Sequence, residues 1–162
     1  MRLLNRTKAP DEALAGILRA AAREAGAKTT RLVVQVNPSR YCQRGTAYNA
    51  AWVRWPGRSR KNIRRVSCSA AVRLSLIYPI RGDALLLAES FYRLCVHEMV
   101  HVHDYQRGGM TFSHAGPSGR RPPHDSRPEE RRARGAAKNA SLVGAADAVL
   151  ALALWLDSRA AV

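Results

Sequence analysis

An α+β fold is expected of this chain, with an N-terminal helix, a small antiparallel sheet of about three strands, a long central helix and a C-terminal helix. Three observations predict it. Apolar residues recur at helical spacing through Leu14, Ile17, Leu18 and Ala21. Val66, Cys68, Ala70, Val72, Leu74 and Leu76 alternate with Arg65, Ser67, Ser69, Ala71, Arg73 and Ser75, the period of a strand with one buried face. The segment Leu94–Gln106, LCVHEMVHVHDYQ, is apolar at helical spacing yet carries three histidines and two carboxylates. At 162 residues the chain fits one domain, 1–162.

Taken in order, Pro10 followed by Asp11 and Glu12 opens the first helix, and Gly26 closes it. RLVVQV, Arg31–Val36, is a β-branched strand that ends in a turn at Asn37-Pro38. A second strand with a weaker pattern is expected between Thr46 and Trp55. The alternating stretch follows, and it puts Cys68 in the core. Gly82-Asp83 then offers an N-cap for a helix that runs to Gly108-Gly109. After a loop over 108–125, rich in Gly, Pro, Ser and Arg, a final helical stretch runs from near Ser126 to about Ala160, with a break at Gly144. No internal repeat is seen.

Composition bounds the function classes. Hydrophobic residues make up 46% and charged residues 24%, which suits a globular fold rather than a disordered chain. The 27 Lys and Arg against 12 Asp and Glu give +15, a surplus that draws polyanions, so nucleic acid is a candidate partner beside a plain solvated basic surface. Cys42, Cys68 and Cys95 form no C-x-x-C pair and leave an odd one over, which argues against a disulfide framework and for a reducing, cytoplasmic setting. The N-terminus has no apolar run of signal-peptide length. The apolar stretch Leu142–Leu156 is shorter than the ~20 residues a membrane span needs and holds Asp147, so it is expected to be a buried helix and no membrane span is expected.

His97, Glu98 and His101 spell H-E-x-x-H. Residues four apart on a helix share one face, so the two imidazoles can converge on one zinc ion. Glu98 falls about 100° round from His97, beside the metal, where a carboxylate can act as general base on a water molecule. Leu87, Phe91, Leu94, Cys95 and Val102 form a broad apolar stripe around these groups. A carboxylate buried there without a partner is costly, and a metal supplies the partner.

Catalytic zinc takes three protein ligands and a water, so a third is required. Ser126 and Glu129 are spaced as a capping box, which gives Glu129 a structural role and leaves Glu130, in the first turn of the following helix, as the preferred third ligand. Asp104, seven residues after His97 on the same side, is an alternative, as are Glu129, His114 and His124. His103 points away from His97 by some 240° and is a poor co-ligand. Tyr105, His114 and His124 are candidates for stabilising an oxyanion.

With these residues in place the chain resembles the zincin metallopeptidases of the gluzincin order, which carry H-E-x-x-H on one helix and a glutamate on a later one. Glu130-x-x-Ala133 is similar to the E-x-x-A pattern around their third ligand, with Arg134 standing where an Asp often follows. The order of elements is similar to a minimal gluzincin core. It also resembles compact metallopeptidases of phages and mobile elements and, more loosely, the SprT-like proteases that act on DNA-bound proteins. The motif-bearing part covers Cys95–Ala133. The resemblance implies zinc-dependent hydrolysis of peptide bonds, with a protein or peptide as substrate.

Two basic groups complete the reading. Trp52 and Trp55 flank Arg54 and lead into Arg58, Arg60, Lys61, Arg64 and Arg65, rings and cations that suit single-stranded nucleic acid, although such tryptophans also serve as sheet packing. Arg131, Arg132, Arg134 and Lys138 lie beside Glu130, where they can steer an acidic substrate. The functions compatible with the sequence are a zinc endopeptidase, a metallohydrolase acting on another bond, and a basic nucleic-acid-binding protein whose metal site is structural or absent.

Overall fold

A computed structural model describes residues 1–39, 42–43, 46–47, 51–54, 70–77, 83–107 and 127–160. The chain opens with β1 (Arg2–Asn5), α1 (Asp11–Ala25) and β2 (Leu32–Ser39). Short strands β3 (Cys42–Gln43), β4 (Thr46–Ala47) and β5 (Ala51–Arg54) precede β6 (Ala70–Ile77). Then come α2 (Ala84–Gln106), α3 (Pro128–Asn139), a 3-10 turn at Val143–Ala145, and α4 (Ala146–Ala160). The α+β class expected from the sequence holds.

The expected antiparallel sheet does not. Among the described residues the main sheet has the order β1-β2-β6-β5, with β1–β2 and β2–β6 parallel and only β5–β6 antiparallel. The difference starts with β1, whose four residues RLLN are too short to show a period in the sequence. Once β1 is a strand, α1 becomes a crossover, and a helix between two neighbouring strands returns the chain to the same end of the sheet, so that β2 runs parallel to β1. The strand expected between Thr46 and Trp55 is divided, with β4 pairing β3 and β5 pairing β6.

β2 also continues through Asn37-Pro38, where a turn was expected. Val36 O accepts a hydrogen bond from Arg6 N at 2.8 Å, on the side of β1. Pro38, two residues on, turns its nitrogen the same way, past the last residue of β1, so its missing N–H removes no ladder bond. Inward residues of the central strands face one another in register, Val34 opposite Val72 and Val36 opposite Leu74, all buried. Of the alternating stretch, 65–69, including Cys68, lies outside the described residues; Val72, Leu74 and Leu76 are buried as the period requires.

α1 buries Ala13, Leu14, Ile17, Leu18, Ala20, Ala21 and Ala22. It ends where expected, at Gly26, whose φ of 70° is the left-handed geometry that closes a helix at least cost for glycine. Gly26 N–H and Ala27 N–H take up the last carbonyls, at Arg23 (3.1 Å) and Ala22 (2.8 Å). α2 begins as the sequence predicts, with Asp83 Oδ1 accepting from Leu85 N (3.0 Å) and Leu86 N (3.3 Å). It is the central element, packed against α1, α3, α4, β5 and β6. That explains why its apolar residues occur almost all round, with Phe91, Cys95, Val96, Met99 and Val102 fully buried.

The C-terminal helical stretch is two helices, α3 and α4, bent by 80° at the intervening break. Arg127, not Ser126, is the N-cap residue of α3, without a side-chain cap, and Pro128 stands in the first turn. Pro fits there because its missing N–H would have no helical partner. Ser126 lies outside the described residues. α4 turns Val149, Leu152, Ala153 and Leu156 inward. No single helix among the described residues is long and apolar enough to cross a membrane.

Candidate metal centre

α2 carries His97, Glu98 and His101, and α3 brings Glu130 to them. The two imidazoles sit one helical turn apart on the same strip of α2, which fixes them as neighbours before any tertiary contact forms. Their Nε2 atoms are 3.3 Å apart. Glu130 Oε2 lies 3.3 Å from His97 Nε2, and Glu130 Oε1 lies 3.4 Å from His101 Nε2. The two contacts use different oxygens of Glu130; with one donor atom from each residue, the three lie within 4.8 Å of one another, near enough to share a single divalent ion. His101 and Glu130 are buried and His97 is half-buried. The group can hold a metal ion.

The electrostatics favour a cation. Glu98 is buried, with Oε1 4.0 Å from His97 Nε2. Burial, and then the charge of Glu130, push the Glu98 carboxyl up to about 7. Burial and the neighbouring His101 hold His97 below its ordinary range, and Arg134 adds in the same direction while Glu130 opposes it. The charge of Glu130 therefore opposes ionisation of Glu98 beside a His97 imidazole that resists protonation, and a cation between them relieves both. Cys95 is also raised well above its ordinary range, by burial and then by Glu98, and is an inert free thiol.

Other sequence candidates are placed elsewhere. Asp104 is buried and pairs with Arg132, so it is outside the donor triangle. That same contact removes Arg132 from the group expected to steer an acidic substrate, whereas Arg131, Arg134 and Lys138 stay exposed on α3. Glu129 is partly buried and does not join the triangle. His103 faces away as the helical wheel predicts, its Nδ1 donating to Gly26 O at 2.8 Å. His114, His124 and the side chain of Tyr105 lie outside the described residues, as does the Trp52–Arg65 basic group apart from the backbone of β5. Comparison with family models, curated proteins and solved structures finds no match for this chain.

With Arg134 where an Asp often follows, the sequence already put a partner for a ligand histidine in doubt, whereas the contact made by Arg93 went unread. His101 Nδ1 is buried with no hydrogen-bond partner among the described residues. Ring nitrogens that do not face an ion usually donate to a carboxylate or carbonyl. Arg93, one turn before His97, donates to carbonyls at the end of α3, Ala137 O and Lys138 O at 2.9 Å each. Its spacing from His97 was a visible signal for a shared face. Nothing in the sequence linked it to α3.

Proposed function

We propose that this protein is a zinc-dependent metallopeptidase, with zinc held by His97, His101 and Glu130 and with Glu98 as general base. The observation that carries the reading is the convergence of His97, His101 and Glu130, one donor atom from each within 4.8 Å of the others, with a second buried carboxylate beside them. Two nitrogens and a carboxylate oxygen are the donor set of catalytic zinc, which keeps its fourth position open. When bound there, zinc would supply Lewis acidity, lowering the pKa of a water towards ~7 and polarising a carbonyl.

The chain's own residues do the rest. Glu98 is angled off the ligand strip, close enough to take the proton of an attacking water and return it to the departing amine. Its affinity for a proton near neutrality suits that two-way transfer. The apolar neighbours of Glu98, among them Cys95, Met99 and Val102, keep bulk water from its inner side. A peptide is favoured as substrate because β5, the edge strand beside β6, also packs against α2. An extended chain can add to such an edge through its backbone.

Metal analysis and a proteolysis assay on the same preparations test the proposal. The expected result is about one zinc per chain in wild type, none in His101→Ala, and zinc without proteolysis in Glu98→Gln, whose turnover falls by about 10²–10⁴. Equal zinc in wild type and His101→Ala would defeat the site. Zinc binding with no hydrolysis of any peptide, together with salt-sensitive nucleic-acid binding that survives His97→Ala, would move the function to a nucleic-acid-binding protein.

A further inference from the structure

α3 is an unusual carrier for a ligand. Its fully inward residues are Glu130 and Ala133, so one methyl group and a carboxylate face the protein where a packed helix normally presents a row of large apolar side chains. Ala136 adds a partly buried methyl. Hydrophobic burial on this scale does not fix a helix in register to within the few tenths of an ångström that a ligand triangle needs.

Polar contacts stand at both ends instead. Arg93, His97, His101 and Asp104 fall within about 80° of one another around α2, so they form a single strip along the face that meets α3. At one end of the strip, Arg93 Nη1 donates to Ala137 O and Lys138 O at 2.9 Å and to Ala140 O at 3.4 Å. These are the closing carbonyls of α3, the negative end of its dipole. Next to them, Tyr92 Oη donates to Ser141 O at 2.9 Å. At the other end, Arg132 Nη2 donates to the buried carboxylate of Asp104. The imidazoles lie between the two contacts along α2, and Glu130 lies in the first turn of α3, two residues before Arg132; the start of α3 meets the later part of α2 and its end meets Arg93.

We infer that Arg93 and the Asp104–Arg132 pair are positioning residues that clamp α3 at both ends and bring Glu130 to the two imidazoles before a metal arrives. The inference rests on the metal reading above and assigns two further functions to the strip. Asp104 is thereby explained without ligation, since a buried carboxylate requires a partner and Arg132 is that partner. Arg132 lies two residues from Glu130, so its tether acts on the first turns of α3, where the ligand is.

Zinc itself is the probe, with affinity measured by competition against a chromophoric chelator and folding followed by circular dichroism of the metal-free chain. Residues that orient ligands typically cost 10–100-fold in metal affinity when removed. Arg132→Ala, Asp104→Asn and Arg93→Ala are each expected to lose about that much while remaining helical, and Arg132→Lys is expected to recover most of the loss through its ammonium. Asp104→Asn combined with Arg132→Ala should fall no further than the worse single variant, and additive losses would refute the pair. If Arg93→Ala fails to fold, Arg93→Lys serves, because an ammonium cannot span the same carbonyls; wild-type affinity in Arg93→Lys would remove that end of the clamp. Zinc affinity within twofold of wild type in Arg132→Ala and Asp104→Asn, alongside its loss in His101→Ala, would overturn the clamp and leave the site standing. No zinc binding by wild type would overturn both.

Discussion

Of the three helices packed against α2, α1 and α3 are held by opposite means. α1 meets α2 through apolar contacts, its buried residues being Ala13, Leu14, Ile17, Leu18, Ala20, Ala21 and Ala22. α3 meets it through a carboxylate, two imidazoles, an ion pair and an arginine on helix-end carbonyls. Apolar burial is strong and tolerant of small shifts, so it suits the seam that stabilises the fold. Hydrogen bonds and charge pairs are directional and individually modest, so they suit the seam that must set a geometry. Stability and site are thereby separated on two faces of one helix.

The largest expected effect on this contrast comes from the apolar seam. Ile17→Ala is expected to lower stability by about 2–5 kcal/mol, from lost transfer energy and the cavity left behind. Zinc affinity of the folded fraction should stay unchanged. A denaturant titration paired with the chelator competition measures both, and a fall in affinity to match the fall in stability would show that the two faces are not separate.

A smaller effect is expected at Gly16, where α1 touches α4. A Cβ at that position would come within 2.8 Å of Ala148 Cβ, closer than two carbons allow, so the helices must move apart. Overpacking of this kind costs about 1–3 kcal/mol, and Gly16→Ala regains about 1 kcal/mol of helix propensity, which leaves a modest net loss. Thermal unfolding with and without zinc checks it. The increment that zinc adds to the melting temperature should be the same as in wild type, because neither α1 nor α4 supplies a ligand.

The smallest effect is a pH slope belonging to the polar seam. In the metal-free chain Glu98 holds its proton up to about 7 when folded, against an ordinary value of 4.5. Between those pH values the folded state binds more protons than the unfolded state, so this group's contribution to stability is present below about 4.5 and is lost as pH rises towards 7. His97, lowered in the fold, acts in the opposite sense, its contribution being lost as pH falls below its ordinary 6.5. Comparing wild type with Glu98→Gln in the presence of a chelator isolates Glu98. The stability of Glu98→Gln relative to wild type should increase from pH 4.5 to 7, and parallel profiles would show that Glu98 carries no such burden.

The chain's own periodicities determined a good deal. A helical turn is a local object, so the four-residue spacing of His97 and His101 placed both rings on one side, and the seven-residue step to Asp104 placed it there too. Period two identified the inward side of β6, and Gly26 and Asp83 marked helix ends through their own backbone chemistry. Glu130 was reached by elimination among first-turn carboxylates, and the donor triangle includes it.

Tertiary structure decided what depends on distant segments meeting. Strand direction followed from the crossover through α1, which no strand's own sequence encodes. The separation of α3 from α4 followed from the side chains of Tyr92 and Arg93 on α2, which take up the closing carbonyls more than 40 residues away along the chain. Asp104 and Arg132, 28 residues apart, became partners because burial leaves a carboxylate no water to turn to. Local spacing encodes which groups share a face, while the partner each group finds is set by solvent exclusion once the helices are packed.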